Sequence, residues 1–244
     1  MGTPTASRTT RWTAVTNMSE WRSEAVVKEY ADKTSNPVTG WYEYLVNFPD
    51  LARLIPDEAE SVLDYGCGVG DFTQKLAQKF TTVVGADIEP ILSIARSAHS
   101  ELPFIEWDGS AALLSDIGTY DVIFSKLVIQ FIPDLDALAA NFRKILNKDG
   151  LVVLSVPNPP RIAEKFHLVP DSIASYDDEV GTTGIKIHPI YRSKQNYIDV
   201  FTRAGFALVE VSEPETPRTL AEQHNYPVDA DKGSRRLNIK LQAV

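Results

Sequence analysis

Apolar positions along the chain change period in a regular rhythm. Ser61-Val62-Leu63-Asp64 is a short apolar run ending in an acid and reads as a strand. After a glycine-rich turn, Phe72, Leu76, Ala77 and Phe80 recur at helical spacing. The pair then repeats, with a strand predicted over 82–86 and a helix over 90–98 that carries Pro90 in its first turn, where a missing N–H costs nothing. Strands follow over 104–107 and 120–125. Asp134 is placed to cap a helix whose Leu135, Leu138, Ala139, Phe142, Ile145 and Leu146 share a face, with Gly150 expected as its stop. Residues 151–156 are almost uninterruptedly apolar, the mark of a strand covered on both faces. Ser193 then caps a helix presenting Tyr197, Ile198 and Phe201, which ends at Gly205 and leads into a strand over 206–211; a last strand alternates Leu237, Ile239 and Leu241.

Strands alternating with helices predict an α/β fold: a Rossmann-like, doubly wound, mostly parallel seven-stranded sheet. Three segments stand outside the alternation. Residues 1–20, rich in Thr and Ser without apolar periodicity, are expected to be a flexible tail. Residues 21–55 read as a helical cap, broken at Asn36-Pro37-Val38-Thr39-Gly40. Residues about 158–192 form an insertion after strand 5, too long for an ordinary connection and lid-like, within a main domain spanning 56–244.

Charge and cysteine usage narrow the function classes. A formal net charge of −9 opposes attraction to nucleic acid or an acidic membrane surface, so neither is expected as a partner. The single cysteine, Cys67, permits no internal disulfide and no cysteine-based zinc cluster. No His, Asp or Glu spacing suggests a metal site, and with no apolar run of membrane length the expected setting is the cytoplasm. Oligomeric state is left open by the sequence.

The strongest chemical signal is Asp64-Tyr65-Gly66-Cys67-Gly68-Val69-Gly70, an acid at the end of a strand followed by three alternate glycines. Glycines let a backbone turn sharply and approach a ligand where a Cβ would collide. A dinucleotide fingerprint wants its third glycine three residues after the second, but that position here is Asp71. Asp87 ends the second strand, where a carboxylate can accept from a ribose diol, and Asp108-Gly109 ends the third at the same sheet edge.

Together these residues resemble the class I S-adenosylmethionine-dependent methyltransferases, over roughly 30–211. The resemblance implies S-adenosylmethionine as cofactor, with Asp64 and the Gly66, Gly68 and Gly70 loop at its amino-acid part. It further implies Asp87 at the ribose, Ile88 against the adenine face and Asp108 with Gly109 at the adenine N6 edge. The segment from Phe124 to Asp134 is similar to the subgroup that modifies small metabolites and natural products. By that likeness Ser125 contacts cofactor and Gln130 faces substrate, and Gln130 stands near where a histidine is common in the subgroup. Tyr30 is implied to close over the cofactor, and Tyr42 and Tyr191 to border the substrate.

Asn158-Pro159-Pro160 looks like the motif of amino-methylating enzymes of the superfamily. It follows the fifth strand rather than the fourth and is succeeded by Arg161 rather than an aromatic, so it is not given that role. Candidates for a general base are His188 and His167 in the insertion and Tyr30 in the cap, whereas His99 ends a helix and is set aside. The implied activity is methyl transfer to O or N of a small metabolite or natural product. Two alternatives stay open: an enzyme that consumes S-adenosylmethionine by intramolecular cyclisation, releasing methylthioadenosine, and a non-catalytic cofactor-binding module.

Overall fold

The computed structural model describes residues 20–34, 40–111, 114–179, 184, 186–226 and 233–244. The expected tail, except Glu20, and the break before Gly40 lie outside these. The alternating units form as β1 (Ser61–Tyr65), β2 (Thr82–Asp87), β3 (Phe104–Glu106), β4 (Tyr120–Lys126) and β5 (Leu146–Pro157). Inside the insertion lie β6 (Ala174–Ser175), β7 (Asp178–Glu179), β8 (Lys186–Ile187) and β9 (Ile190–Tyr191), followed by β10 (Phe206–Ser212) and β11 (Arg236–Ala243). The helices are α1 (Glu24–Thr34), α2 (Phe48–Arg53), α3 (Asp71–Ala77), α4 (Ile91–Ala98) and α5 (Leu114–Ile117), then α6 (Leu135–Lys144), α7 (Pro159–Phe166), α8 (Lys194–Arg203) and α9 (Arg218–Gln223).

One seven-stranded sheet runs β10-β11-β5-β4-β1-β2-β3. β1 pairs in parallel with both β2 and β4, and β5 pairs in parallel with β4. β11 slots between β5 and β10, antiparallel to each. Strand order reverses between β1 and β4, and in open α/β sheets that switch point opens a crevice beyond the carboxyl ends of the strands.

Strand alternation explains the unbroken apolar runs. Val152, Leu154 and Val156 of β5 join Phe142, Phe201 and Trp107 on one face, while Leu151 and Val153 join Leu51, Leu54, Val122 and Phe124 on the other. A fully buried side chain of this size contributes about 1.5–3 kcal/mol, so a polar residue at either set of positions would be expelled. Capping follows the sequence signals: Asp134 accepts from the Ala137 N–H at 2.9 Å, and Ser193 and Asn196 form a reciprocal capping box.

Two punctuation marks act differently from expectation. Gly150 does not stop α6; the helix ends at Lys144 and Gly150 lies within β5, after Asp149 turns the chain at φ 61°. Register slips there between Tyr120 and Val122 of β4, which accommodates the extra residues. Pro90 is the cap residue of α4 rather than part of its first turn. The cap consists of α1, a single π-turn (Glu43–Asn47) and α2, which sends Leu51 into the core. Among the described residues no helix is long and apolar enough to cross a membrane.

Candidate functional site

The glycine turn leaves β1 at the switch point. Gly66, Gly68 and Gly70 have φ values of 75°, 57° and 88°, the left-handed region that L side chains rarely adopt. At Gly66 a Cβ would lie 2.0 Å from Val128 Cγ2, so the loop after β4 packs directly on this turn. At Gly68 the nearest atom to a Cβ would be Ile91 Cδ1 at 3.9 Å, so the turn faces open space there. The N–H groups of Gly66 and Cys67 donate to the Ala86 carbonyl at 2.7 and 3.1 Å, binding the turn to the end of β2.

Two acids support this turn. Asp64 is 2% exposed, and burial pushes its carboxyl up to about 7, opposed by the Thr73 hydroxyl that donates to it at 2.6 Å. Asp87 accepts from the Gly68 N–H at 2.7 Å and the Ile88 N–H at 2.8 Å. Burial pushes the Asp87 carboxyl up to about 6 even though both hydrogen bonds favour its charged form. Ile88 is buried at the same edge.

On the far side of β2, Asp108 is exposed, and its carboxylate accepts from the Ser110 N–H at 2.9 Å. Its carbonyl accepts from the Tyr65 hydroxyl at 3.2 Å. Gly109 (φ 87°) is held by Asn141, whose side chain donates to its carbonyl at 2.9 Å. These contacts bring the ends of β1, β2 and β3 together, with Asp64, Asp87 and Asp108 along one edge.

At the end of β4, Ser125 is 1% exposed and its Oγ has no hydrogen-bond partner. Leu127 takes φ 60° and leads into a single 3₁₀ turn (Ile129–Phe131). Gln130 in that turn donates through Nε2 to the Leu127 carbonyl at 2.8 Å, while its Oε1 is buried without a partner. Gln130 and Tyr191 line one small cleft with room for about one water, together with Arg192, Tyr176, Tyr197 and Pro157.

The remaining residues singled out from the sequence lie elsewhere. Tyr42 is 3% exposed, donates to the Pro214 carbonyl at 3.0 Å and packs with Trp41 and Arg235, so it is part of the packing between cap and C-terminal segment and not of the cavity lining. Tyr30 makes an edge contact with Trp21 at 5.0 Å in a small cluster with Phe131 and Ile187. His188 faces Asp177 at 2.8 Å on a half-exposed hairpin, and His167 is the exposed left-handed residue that ends α7. Neither histidine lines the cavity. Asn158 instead donates to Glu213 at 3.1 Å, an anchor between β5 and the strand end of β10.

Sequence reasoning missed two groupings. Tyr44 donates to Asp71 at 2.5 Å, and His99, 8% exposed, sits 3.4 Å from the other Asp71 oxygen. A Cβ on Gly70 would meet His99 at 2.8 Å, so this histidine walls the glycine turn. The clue was Asp71 itself, directly after the last glycine. The second grouping centres on Glu43, which accepts from Arg236 at 2.8 Å, Lys126 at 3.2 Å and Asn47 at 2.8 Å. Burial alone would push its carboxyl up, but Arg236, Lys126 and Asn47 together reverse this and hold it at about 2. No local spacing links residues so far apart in the chain.

A doubly wound sheet whose switch point carries a glycine turn and a row of three strand-end acids defines a Rossmann-like nucleoside-binding protein of the methyltransferase kind. The sequence profile of a family described as a methyltransferase domain matches residues 42–211. The chain belongs to that family, the class I S-adenosylmethionine-dependent methyltransferases. It is similar to a trans-aconitate 2-methyltransferase of Escherichia coli (strain 55989 / EAEC), 30% identical over 166 residues that cover 64% of this chain and 60% of the relative. It is also similar to one of Deinococcus radiodurans, 34% identical over 112 residues covering 44% and 42%. The chain thus spans about half the length of these curated relatives. Its fold is that of a TehB-like S-adenosylmethionine-dependent methyltransferase from Corynebacterium glutamicum, with TM-score 0.60, 20% identity and coverage of 91% and 100%. It is also that of the N-methyltransferase NodS from Bradyrhizobium japonicum in complex with S-adenosyl-L-homocysteine, with TM-score 0.56, 16% identity and coverage of 85% and 88%.

The residues present fit such a cofactor. The turn is open at Gly68, the Asp87 carboxylate is ordered by backbone donors, and the buried Ser125 hydroxyl lacks a partner.

Proposed function

We propose that the chain transfers a methyl group from S-adenosylmethionine to an oxygen or nitrogen of a small molecule. The observation that carries this is Asp87: a partly buried carboxylate at the end of β2, held by the Gly68 and Ile88 N–H groups beside an open glycine turn. In this reading Asp87 accepts from the ribose hydroxyls, Ile88 packs on the adenine and Asp108 with Gly109 borders its amino edge. Gly66, Gly68, Gly70 and Asp64 hold the amino-acid part, and Ser125 closes the site from β4. Tyr30 stands in the cap as a residue that closes over it.

When bound, the cofactor supplies a methyl already activated on a cationic sulfur. The protein's task is therefore chiefly to align the acceptor, since holding reactants near 3 Å in line supplies much of the acceleration. Gln130 and Tyr191 orient the acceptor in the cavity between β4, β5 and the insertion. A hydroxyl or amine that donates to Gln130 Oε1 keeps its lone pair directed outward, while the glutamine cannot itself take the proton at neutral pH. The relatives named for trans-aconitate make a small organic acid one acceptor to try first.

The test incubates purified protein with S-adenosylmethionine alone, then with a panel of small acceptors, and identifies the adenosine-containing product by mass spectrometry. S-adenosylhomocysteine formed only with an acceptor is expected. Methylthioadenosine formed without one, above the spontaneous rate, would replace this reading with self-cyclisation.

A further inference from the structure

The cap bridges the crevice at the switch point. On one side α1 packs against α4, the helix that follows β2. On the other, Trp21 makes an edge contact at 5.6 Å with Phe131, in the turn after β4, and Tyr30 joins the same cluster. In the sheet β1 lies between β2 and β4, so the glycine turn that leaves it lies between these two contacts. The cap also carries a π-turn (Glu43–Asn47), a rare local geometry that is found frequently at functional sites. Its first two residues fasten the cap to different walls of the crevice: Glu43 to Lys126 at the end of β4, and Tyr44 to Asp71 directly after the last glycine.

The two fastenings differ in how they can open. Glu43 accepts from Arg236, Lys126 and Asn47, and pulling it away would leave charges of both signs in a largely buried place without partners. Tyr44 is half-buried and holds through its hydroxyl alone, which donates to Asp71 at 2.5 Å. Burial first, and then the bond to Asp71, pushes the Tyr44 phenol up, so it stays protonated and remains a donor. The Asp71 side chain is 25% exposed and is backed by His99 at 3.4 Å. Water can therefore replace the phenol at Asp71, which makes this bond much cheaper to break than the one at Glu43. The Tyr44 ring itself rests on Phe72 at 5.0 Å, over whose face Lys126 also lies at 4.4 Å.

We infer that Tyr44 is a positioning residue: by donating to Asp71 it latches the cap onto the glycine turn, and cofactor enters and leaves when this bond opens while Glu43 stays fastened. Tyr44 acts through the turn and touches no reacting atom. The latch closes the cap before binding as well as after it. An interaction present equally in the free and loaded states cancels from the affinity, so the latch sets the rates of cofactor exchange and leaves the dissociation constant nearly unchanged. This role rests on the proposed function for the identity of the cofactor, though not for the latch itself.

The test uses Tyr44→Phe, which keeps the ring on Phe72 and removes only the donor. In the free protein, hydrogen exchange of the amides over 43–48 should speed up about tenfold. S-adenosylhomocysteine, followed by stopped-flow tryptophan fluorescence, should associate and dissociate each roughly five- to tenfold faster, with the dissociation constant changed less than about threefold. Asp71→Asn keeps an acceptor oxygen and should give intermediate rates. The double variant should be no faster than Tyr44→Phe, because both substitutions act on one bond. Weaker binding without faster association is what a packing role for Tyr44 gives, and it overturns the latch, as do additive effects in the double variant or unchanged exchange over 43–48. Faster exchange over 43–48 in a chain that binds no S-adenosylhomocysteine, altered or not, upholds the latch and overturns the methyltransferase reading instead.

Discussion

The glycine turn packs on Val128, two positions before Gln130 of the cleft, yet turn and cleft are built from different parts. In the turn the working atoms belong to the backbone or to acids already engaged: Asp64 by Thr73, Asp87 by Gly68 and Ile88, Gly66 and Cys67 by Ala86. In the cavity the working atoms are side-chain groups left open, Gln130 Oε1 and Arg192 Nη1. A region whose polar groups are satisfied from within keeps its shape without ligand, while one with buried open valences is stabilised by what enters it. The difference predicts separate responses to substitution, and each response can break it.

The largest effect is expected at Gly66. Gly66→Ala combines a φ of 75°, worth about 1–2 kcal/mol for an L residue, with a Cβ 2.0 Å from Val128. S-adenosylhomocysteine affinity should fall roughly 100-fold or more by calorimetry, about 2.7 kcal/mol or above, with far-ultraviolet circular dichroism retained. Val128→Ala added to it should recover part of the loss by removing the Cγ contacts at 2.0 and 2.8 Å, while the Cβ contact at 2.7 Å remains. Binding within tenfold of the parent protein would mean the turn is not built by its backbone.

Next comes Asp87. A hydrogen bond to a charged group is worth about 1.5–3 kcal/mol, so Asp87→Asn should weaken S-adenosylhomocysteine roughly 10- to 100-fold. The sign of the pH dependence follows from a carboxyl pushed up to about 6: the accepting, ionised form dominates above that pH and is lost below it. Affinity should therefore be flat above pH 7 and fall toward tenfold per unit as pH drops below 6, and Asp87→Asn should abolish the slope. A slope that survives the substitution would assign the proton to another group, Asp64 first.

The smallest effects sharpen the other side of the comparison. His188→Ala and His167→Ala remove side chains that do not line the cavity, and each should change kcat by less than twofold across pH 6 to 9. A tenfold loss in either would bring the insertion over the cavity during turnover.

Legibility in the sequence divides along the same line. The glycine turn, Asp87 and the β-strands could be read because their requirements are local: a left-handed φ asks for glycine, and a strand buried on both faces shows an apolar run. Arg192 and Gln130 are 62 positions apart and line one cleft because the end of the insertion packs on the turn after β4, where Arg192 donates to the Ile132 and Pro133 carbonyls, which no local period encodes. Tyr42 misled for the related reason that an aromatic in a cap reads the same whether it faces a ligand or, as here, Pro214 and Arg235. Gly150 misled because α6 already ends at Lys144 with Ile145 as its cap, and the left-handed turn before Gly150 is made by Asp149 within β5.

The hydrogen bond between Glu43 and Arg236 spans 193 positions of chain. During synthesis at about 5–20 residues per second, Glu43 leaves the ribosome roughly 10 to 40 seconds before its main counter-ion exists. Throughout that interval burial of the acid is opposed by desolvation, offset by Asn47 beside it and by Lys126 once β4 has emerged. Full burial of Glu43 is therefore expected only once β11 has joined the sheet, which pulsed hydrogen exchange would show as late protection of the cap.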